Sequence, residues 1–384
     1  MTATIKTTNL QHASSGSANI VLASDGSTTI ADGTITAVTT ASLNGGQLAG
    51  FRNRIINGNG VIDQLGPVGG LGSYGPDRWK TFGVGSGSFT IYVNGGYVEA
   101  YVGVSDASPL ASGDYYGVQQ YIEANNISDF LLGTASAKTV TLSFTHKHTK
   151  AGTYTVALRN AAANRSYLAE YTQSVANTEE TATVTVPLDT TGTWATGTSI
   201  GLDVSWAVGA GGSFMGSTGS WLAGGYIASG NQTNAMDTVG NALRIKDVQL
   251  EIGSDATPFE QRSIGTELAL CQRYCRTLYP GVASAMPLLL GWVTSSTRAA
   301  AYWLWQDDMR SAPTVSFSGS NHFTVAHGPT VTATTAANVS SSWNGGAYLY
   351  FDVASGLTTG QGCGIRTSGA AAPATTYIRA EAEL

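Results

Sequence analysis

Charge is scarce in this 384-residue sequence: Asp, Glu, Lys and Arg make up 11% of it, against about a quarter in an ordinary soluble protein. The few Lys and Arg are scattered and the net charge is −6, which argues against nucleic acid as a partner, because phosphate contacts need clustered cations. Long apolar runs are missing as well. The longest, near Met286 to Val293, contains Pro287 and Gly291 and is too short to span a bilayer, so no membrane insertion is expected. No basic stretch followed by an apolar one opens the sequence, so no secretory signal is read. Three cysteines cannot build a disulfide framework. Cys271 and Cys275 stand one helical turn apart on a face that reads as buried, as structural thiols do, and a reducing cytoplasm fits their small number.

Catalytic signatures are absent too. There is no G-x-S-x-G elbow, H-E-x-x-H, Walker loop or dinucleotide fingerprint in a strand-to-helix setting. The adjacent acids Glu179-Glu180 and Asp307-Asp308 would point to opposite faces of a strand, which is not the facing acid and base of glycoside hydrolysis. A non-enzymatic protein is expected.

What is plentiful is glycine, at 48 residues, with 9% aromatics and much Ser, Thr and Ala; this suits short strands and tight turns. Residues 1–50 hold few large side chains, and their short runs, Ile20-Val21-Leu22 and Thr34-Ile35-Thr36, are broken by turn signals at Asp25-Gly26 and Asp32-Gly33. That segment is either a flexible leader or becomes ordered against partner chains. Beyond it, Phe89, Ile91 and Val93 alternate before Asn94-Gly95-Gly96, and Val98, Ala100 and Val102 alternate after it, which predicts a hairpin. Further strands are expected at Tyr116–Val118, Val140–Phe144, Tyr154–Leu158, Val184–Val186 and Ile200–Val208, together a jelly-roll β-sandwich.

The stretch from Leu243 to Leu278 organises the rest. Leu243 and Ile245 alternate in one phase, Val248, Leu250 and Ile252 in the other, so a β-bulge is expected near Lys246 and Asp247. Past Pro258, a helix is expected to start after Gly265, with Thr266 as its cap, Glu267 near its start, and Leu268, Cys271, Tyr274, Cys275 and Leu278 along one face. Later, Tyr302-Trp303-Leu304-Trp305 puts both Trp residues on one face. Leu349, Phe351 and Val353 should point inward with Tyr348, Tyr350 and Asp352 outward, and Ile378, Ala380, Ala382 and Leu384 should tie the end of the sequence into a sheet.

FRNRIINGNGVIDQ from Phe51, PDRWKTF from Pro76, VQQYIEANN from Val118, VTLSFTHKHTKAGTYTVALRN from Val140 and DVQLEIGSDATPFEQRSIGTELALCQRYCRTL from Asp247 resemble phage tail fibre and related virion receptor-binding proteins, across about residues 51 to 279. The leader TIKTTNLQHASSGSANIVLASDGS resembles the virion-attachment end of such fibres. The resemblance implies a mainly β chain with a virion-attachment and oligomerisation segment at 1–50 and a sandwich at 51–262 like that of carbohydrate-binding modules. A smaller β-rich receptor-binding domain opening with a helix would follow at 263–384. It further implies a homotrimer assembled in the host cytoplasm, sited in the virion tail beside other tail proteins and bound to host cell-surface carbohydrate. Alternatives are a purely structural decoration or head fibre and a capsule-degrading tailspike. No cofactor is expected beyond a structural calcium. Such sandwiches commonly hold that ion between an Asn-Gly-acid segment and an Asp of the last strand; here Asn59 replaces the acid.

Among individual residues, Asp247 and Asn57 are the calcium candidates, with backbone carbonyls near Asn57 and Gly58. An ion pair of Asp247 with Arg78 or Arg54, or simple solvation, are the alternatives. Trp303, Trp305, Trp343, Tyr348 and Tyr350, with Asn344 and Asp352, form the best set for stacking on sugar rings and binding hydroxyls; for each Trp the alternative is the core or a subunit contact. His146 and His148 face one side of a strand without a third metal ligand, and an exposed strand end is expected there.

Overall fold

The computed structural model describes residues 9–10, 20–22, 28–30, 51–278, 287–368 and 376–384. Two units separate, Met1–Leu43 and Asn44–Leu384. In the first, β1 (Asn9–Leu10), β2 (Ile20–Leu22) and β3 (Thr28–Ile30) pair antiparallel in that order. The Thr34–Thr36 run, both turn signals and most of the attachment segment lie outside the described residues.

The second unit opens with β4 (Val68–Gly69), β5 (Lys80–Val84), β6 (Ser88–Asn94), β7 (Tyr97–Val104) and β8 (Tyr115–Glu123). It continues through β9 (Thr139–His148), β10 (Gly152–Arg159), β11 (Arg165–Gln173), β12 (Glu180–Pro187) and β13 (Ile200–Ala210). After β14 (Met215–Gly216), β15 (Trp221–Ala223) and β16 (Ala228–Ser229), the long β17 (Ala242–Ile252) completes a jelly-roll β-sandwich. Its sheets run β12-β9-β17-β7-β6-β4 and β15-β11-β10-β13-β8-β5. The period of two puts Val140, Leu142 and Phe144 of one sheet and Leu202, Val204 and Trp206 of the other into a shared core. There Trp206 meets Phe144 and Trp79 at 5.5 and 5.6 Å between ring centroids. The outer side of the second sheet is covered by its own crossover, whose Phe214, Met215, Ile227 and Ala228 pack on Phe82, Ala207 and Ala210.

Two local signals read as expected. Gly95 and Gly96 adopt φ of 57° and 82° between the paired Asn94 and Tyr97, the left-handed pair that a tight two-residue hairpin turn requires. In β17 the register against β9 shifts between Lys246 and Gln249, with Asp247 at φ 51°; Ile245 and Val248 are buried on either side of this bulge.

The helix differs in extent. α1 spans Ile264–Gln272, and the cap is Ser263, whose side chain accepts the N–H of Thr266 at 3.4 Å. The expected apolar face ends early, because Tyr274 donates its N–H to Cys271 at 2.9 Å in a turn and β18 (Cys275–Leu278) becomes a strand. Pairing with the last strand of the chain overrides the helical spacing of Cys275 and Leu278.

The remaining strands are β19 (Pro287–Ser295), β20 (Arg298–Leu304), β21 (Thr314–Phe317), β22 (Phe323–His327), β23 (Thr330–Trp343), β24 (Gly346–Val353), β25 (Gly362–Thr367) and β26 (Ile378–Glu381). Six close into a barrel, β19-β20-β24-β23-β22-β25, while β18, β26 and β21 form a separate sheet in the order β18-β26-β21. Closure leaves the barrel without a free edge. Val293, Ala299, Ala301, Phe323, Val325, Leu349, Phe351 and Ile365 fill its inside.

The end of the chain locks this half to the sandwich. Arg78 is buried at φ 72°. Its guanidinium lies 3.6 Å from the centre of the Tyr274 ring, pairs with Glu383 and donates to the Tyr121 carbonyl. Tyr274 in turn donates from its hydroxyl to Glu123 at 2.8 Å, and Arg273 grips the same carboxylate with two bonds of 2.7 and 2.9 Å. Burial raises the Glu123 pKa, but these donors outweigh it and hold the carboxyl below its usual value. Because Arg78 and Glu383 are both buried, removing one strands the other. Arg78→Met should cost roughly 3–5 kcal/mol in chemical denaturation, and the double variant Arg78→Met/Glu383→Leu should recover most of that; a single variant within about 1 kcal/mol of the native protein would refute the assignment.

Candidate functional site

Strand alternation decides which aromatics are available for contact. In β20, Trp303 points into the barrel and is 7% exposed, whereas Tyr302 and Leu304 point out at 48% and 64%. Trp305 follows Trp303 inward, edge-on to it at 5.2 Å, half-buried against the core, with its indole N–H donated to the Asn344 carbonyl. The two Trp residues do share a face, but it is the inner one. Trp303 is therefore core, contrary to the sugar-stacking expectation. Asn344 serves the β23–β24 turn through its carbonyl, which also accepts the N–H of Met309 at 2.8 Å.

The outward residues of β24, Tyr348, Tyr350 and Asp352, stand as expected with Leu349, Phe351 and Val353 inward. Register assembles the rest. Tyr302 lies opposite Tyr348, and their rings stack at 4.8 Å. Ala300 separates Trp292 from Tyr350 in the next row, and its small side chain lets the Trp292 indole lean onto Tyr302 at 5.4 Å and Tyr348 at 5.9 Å. Trp343 of β23 meets Tyr302 edge-on at 6.3 Å, and Tyr350 meets Tyr348 at 4.9 Å. Glycine is required at 346, where a Cβ would come within 2.7 Å of the Trp343 ring. The result is a continuous stripe of five rings across β19, β20, β24 and β23 on the outside of the barrel.

One end of the stripe is polar. Arg298 sits over the Tyr350 ring at 4.8 Å and binds Asp352 through two nitrogens at 2.5 and 3.0 Å. Asn338 donates to the same carboxylate at 3.2 Å. Ring faces beside a guanidinium, an amide and a carboxylate are the chemistry that a pyranose meets well, since its C–H face packs on an aromatic ring and its hydroxyls need donors and acceptors. Of the sequence candidates, Trp343, Tyr348, Tyr350 and Asp352 are brought together here. Trp292, Tyr302, Arg298 and Asn338 were missed. Alternation puts Tyr302 on the face opposite Trp303 without saying which face is outer, and Trp292 and Arg298 join only through cross-strand register.

The calcium expectation meets atoms already in use. The Asn57 amide donates to Ile62 O and Asp77 O at 2.8 and 3.0 Å and accepts from Ile62 N at 2.9 Å. Its carbonyl accepts the Trp79 indole N–H at 2.9 Å, and the Gly58 carbonyl accepts Val248 N at 2.9 Å. The Asn57 segment and the β17 bulge thus meet backbone to backbone, and this donor set does not fit a calcium ion. Asp247 turns outward at the bulge, half-buried, its pKa raised by that burial against the pull of Lys246. It is not paired with Arg54 or Arg78, which hold Asp129 and Glu383. Among the described residues no group of three His, Cys, Asp or Glu could hold a metal.

The histidines overturn their expectation of an exposed strand end, since both are 1% exposed. His148 stacks on Tyr154 at 3.6 Å and bonds the Tyr171 hydroxyl at 3.0 Å. His146 meets Gln173 Oε1 at 3.1 Å, and the same oxygen accepts the His148 N–H at 2.7 Å. The face that both share is the inner one, because β9 sits between β12 and β17 over the core.

No protein-family model matches the chain, and no curated protein matches it. Among solved structures it is similar to the family 11 carbohydrate-binding module from Clostridium thermocellum in complex with a β-1,3-1,4-mixed-linked tetrasaccharide, at 12% identity over 50% of this chain and 99% of that one, TM-score 0.26. It is similar to TmCBM61 in complex with β-1,4-galactotriose, at 10% identity over 53% of this chain and 99% of that one, TM-score 0.26. A third is the enzymatically active domain of bacteriophage CBA120 tailspike protein 4, at 12% identity over 52% of this chain but 21% of the other, TM-score 0.29.

Burial lowers both histidine pKa values, that of His148 well below 6.5 with His146 adding to the effect. The folded state keeps His148 neutral while the unfolded chain takes up a proton below about 6.5, so the stability it supports is present above that pH and lost as pH falls through it. The loss should approach about 1.4 kcal/mol per pH unit. Melting temperatures of native protein and His148→Phe, compared from pH 7.5 to 5, should fall more steeply for the native chain; parallel curves would refute this.

Proposed function

We propose that the protein is a non-enzymatic receptor-binding subunit of a virus particle, of the tail fibre kind, which binds host surface glycans through the aromatic stripe of its barrel. The outward row Trp292, Tyr302, Tyr348, Tyr350 and Trp343 carries this reading. A closed barrel has no need of so many rings on its solvent side, and exposed aromatic patches are characteristic of binding surfaces. The stripe contains one carboxylate, Asp352, held by Arg298 and Asn338, so it offers binding without the facing acid pair of glycoside cleavage. The sequence resemblance to tail fibres supports siting in the virion tail beside other tail proteins, assembly in the host cytoplasm as a homotrimer, and attachment through the N-terminal unit.

A second reading, a structural virion component, draws on Leu290 and Leu304. They are 83% and 64% exposed beside the rings, where a protein partner would cover them. The two separate by experiment. Tyr302→Ala/Tyr348→Ala should weaken binding to a host-envelope glycan array roughly ten- to a hundredfold, as expected for two stacking contacts of about 0.5–1.5 kcal/mol each. Absence of glycan binding by the native full chain, with Leu290→Asp dissociating its oligomer in sedimentation, would instead establish the structural reading.

A further inference from the structure

In a chain so poor in charge, the described arginines are mostly committed. Arg54, Arg78, Arg159, Arg165, Arg244, Arg262, Arg273 and Arg298 each pair with a carboxylate. Arg379, like Arg52, Arg276, Arg310 and Arg366, has no ion pair among the described residues. It projects from β26 into a cavity of about 450 Å³, within the size range of small-ligand sites. Asp63, Gln64 and Leu65 of the sandwich form one wall, Thr277 of β18 and Tyr377 before β26 the other. The guanidinium carbon lies over the Tyr377 ring, 4.2 Å from its centroid. Its Nε donates to Thr277 Oγ1 and its Nη2 to the Gln64 carbonyl, both at 3.3 Å. A guanidinium carries five N–H donors, and among the described residues two of them meet neutral acceptors at long range while none meets a carboxylate. The group is thus oriented by three contacts with donors to spare, the arrangement that planar recognition of a carboxylate uses.

The other walls suit a sugar ring. Leu65 supplies apolar surface, and Asp63, whose Oδ1 accepts the Gly66 N–H at 2.8 Å, keeps its second oxygen for hydroxyl donors. The Gln64 side chain is committed, donating to Asp77 and Cys275 O and accepting the Thr277 N–H at 3.2 Å, which makes that wall rigid. We propose that this cavity binds an acidic sugar, a uronic-acid residue, with its carboxylate on Arg379 and its hydroxyls on Asp63. This deepens the glycan reading above by naming the sugar class, at a site separate from the aromatic stripe.

Titration calorimetry on the full chain tests it with galacturonate, galactose, acetate and inorganic phosphate as probes. Galacturonate should bind at least tenfold more tightly than the other three. Arg379→Met should abolish that preference, and Arg379→Lys, which keeps the charge but loses the planar fork, should retain a weakened one. Tyr302→Ala/Tyr348→Ala should leave galacturonate binding unchanged while losing array binding, which separates this site from the stripe. Equal binding of phosphate or acetate would reduce the cavity to an unspecific anion site. Loss of galacturonate binding on stripe substitution, its survival in both Arg379 variants, or no binding to the native chain would overturn the proposal.

Discussion

One buried cation ties the end of the chain to the sandwich. Arg78 occupies a left-handed backbone conformation that a non-glycine residue adopts only at a cost of about 1–3 kcal/mol, between Pro76-Asp77 and the buried Trp79. From this turn before β5 the guanidinium reaches Tyr274, Glu383 and the Tyr121 carbonyl. Around it the end of the chain is pinned further: Tyr74 donates to the Leu384 carbonyl at 2.6 Å, and Arg310 reaches Ala382 O, Glu383 O and Thr198 O at 2.8 to 3.0 Å. An uncompensated charge here would be very costly, so the contacts form together, and this polar seam lies beside an apolar one in which Ile56 and Ile62 pack with Cys271 and Tyr274 against Leu268, Leu270 and Leu384.

The same logic explains the motif FRNRIINGNG. It looks like a ligand loop, being rich in Asn, Arg and Gly, yet its polar atoms face inward. Asn53 bonds Val248 O, Ile55 N and Leu250 N at 2.9 to 3.0 Å, Asn57 bonds Ile62 and Asp77, and Arg262 returns from the helix side to Ile55 O at 3.2 Å. An irregular segment that runs beside a bulged strand has backbone groups no ladder can satisfy. Asn side chains, with a donor and an acceptor each, satisfy them.

On the barrel the division of labour is between faces. Small residues, Ala299 and Ala301, alternate with large ones inside, while Ala300 and Gly346 outside make room for rings from neighbouring strands to lean together. Aromatic pairs stacked or edge-on at 4.8 to 6.3 Å support one another, so the stripe is a preformed surface and a ligand need not order it. Preformed surfaces bind at lower entropic cost.

Much of the fold was legible because it is local. The Gly95-Gly96 hairpin follows from φ preferences, the bulge at Lys246-Asp247 from a phase change in alternation, and the inward and outward sets of β24 from a period of two. Each depends only on residues adjacent in the chain. What the sequence left open depends on partners far away. Nothing local distinguishes an inward Trp303 from an outward one, because alternation reports phase and not sign; the closed barrel supplies the sign. Helical spacing of Cys275 and Leu278 lost to pairing with a strand about a hundred residues later. His146 and His148 read as an exposed strand end and are core. The stripe joins residues 292, 298, 302, 338, 343, 348, 350 and 352 across four strands. The sequence by itself determined the strands, their turns and their alternation, since these arise from backbone sterics and nearest neighbours; only tertiary register decided which polar groups found partners and which rings were left facing outward.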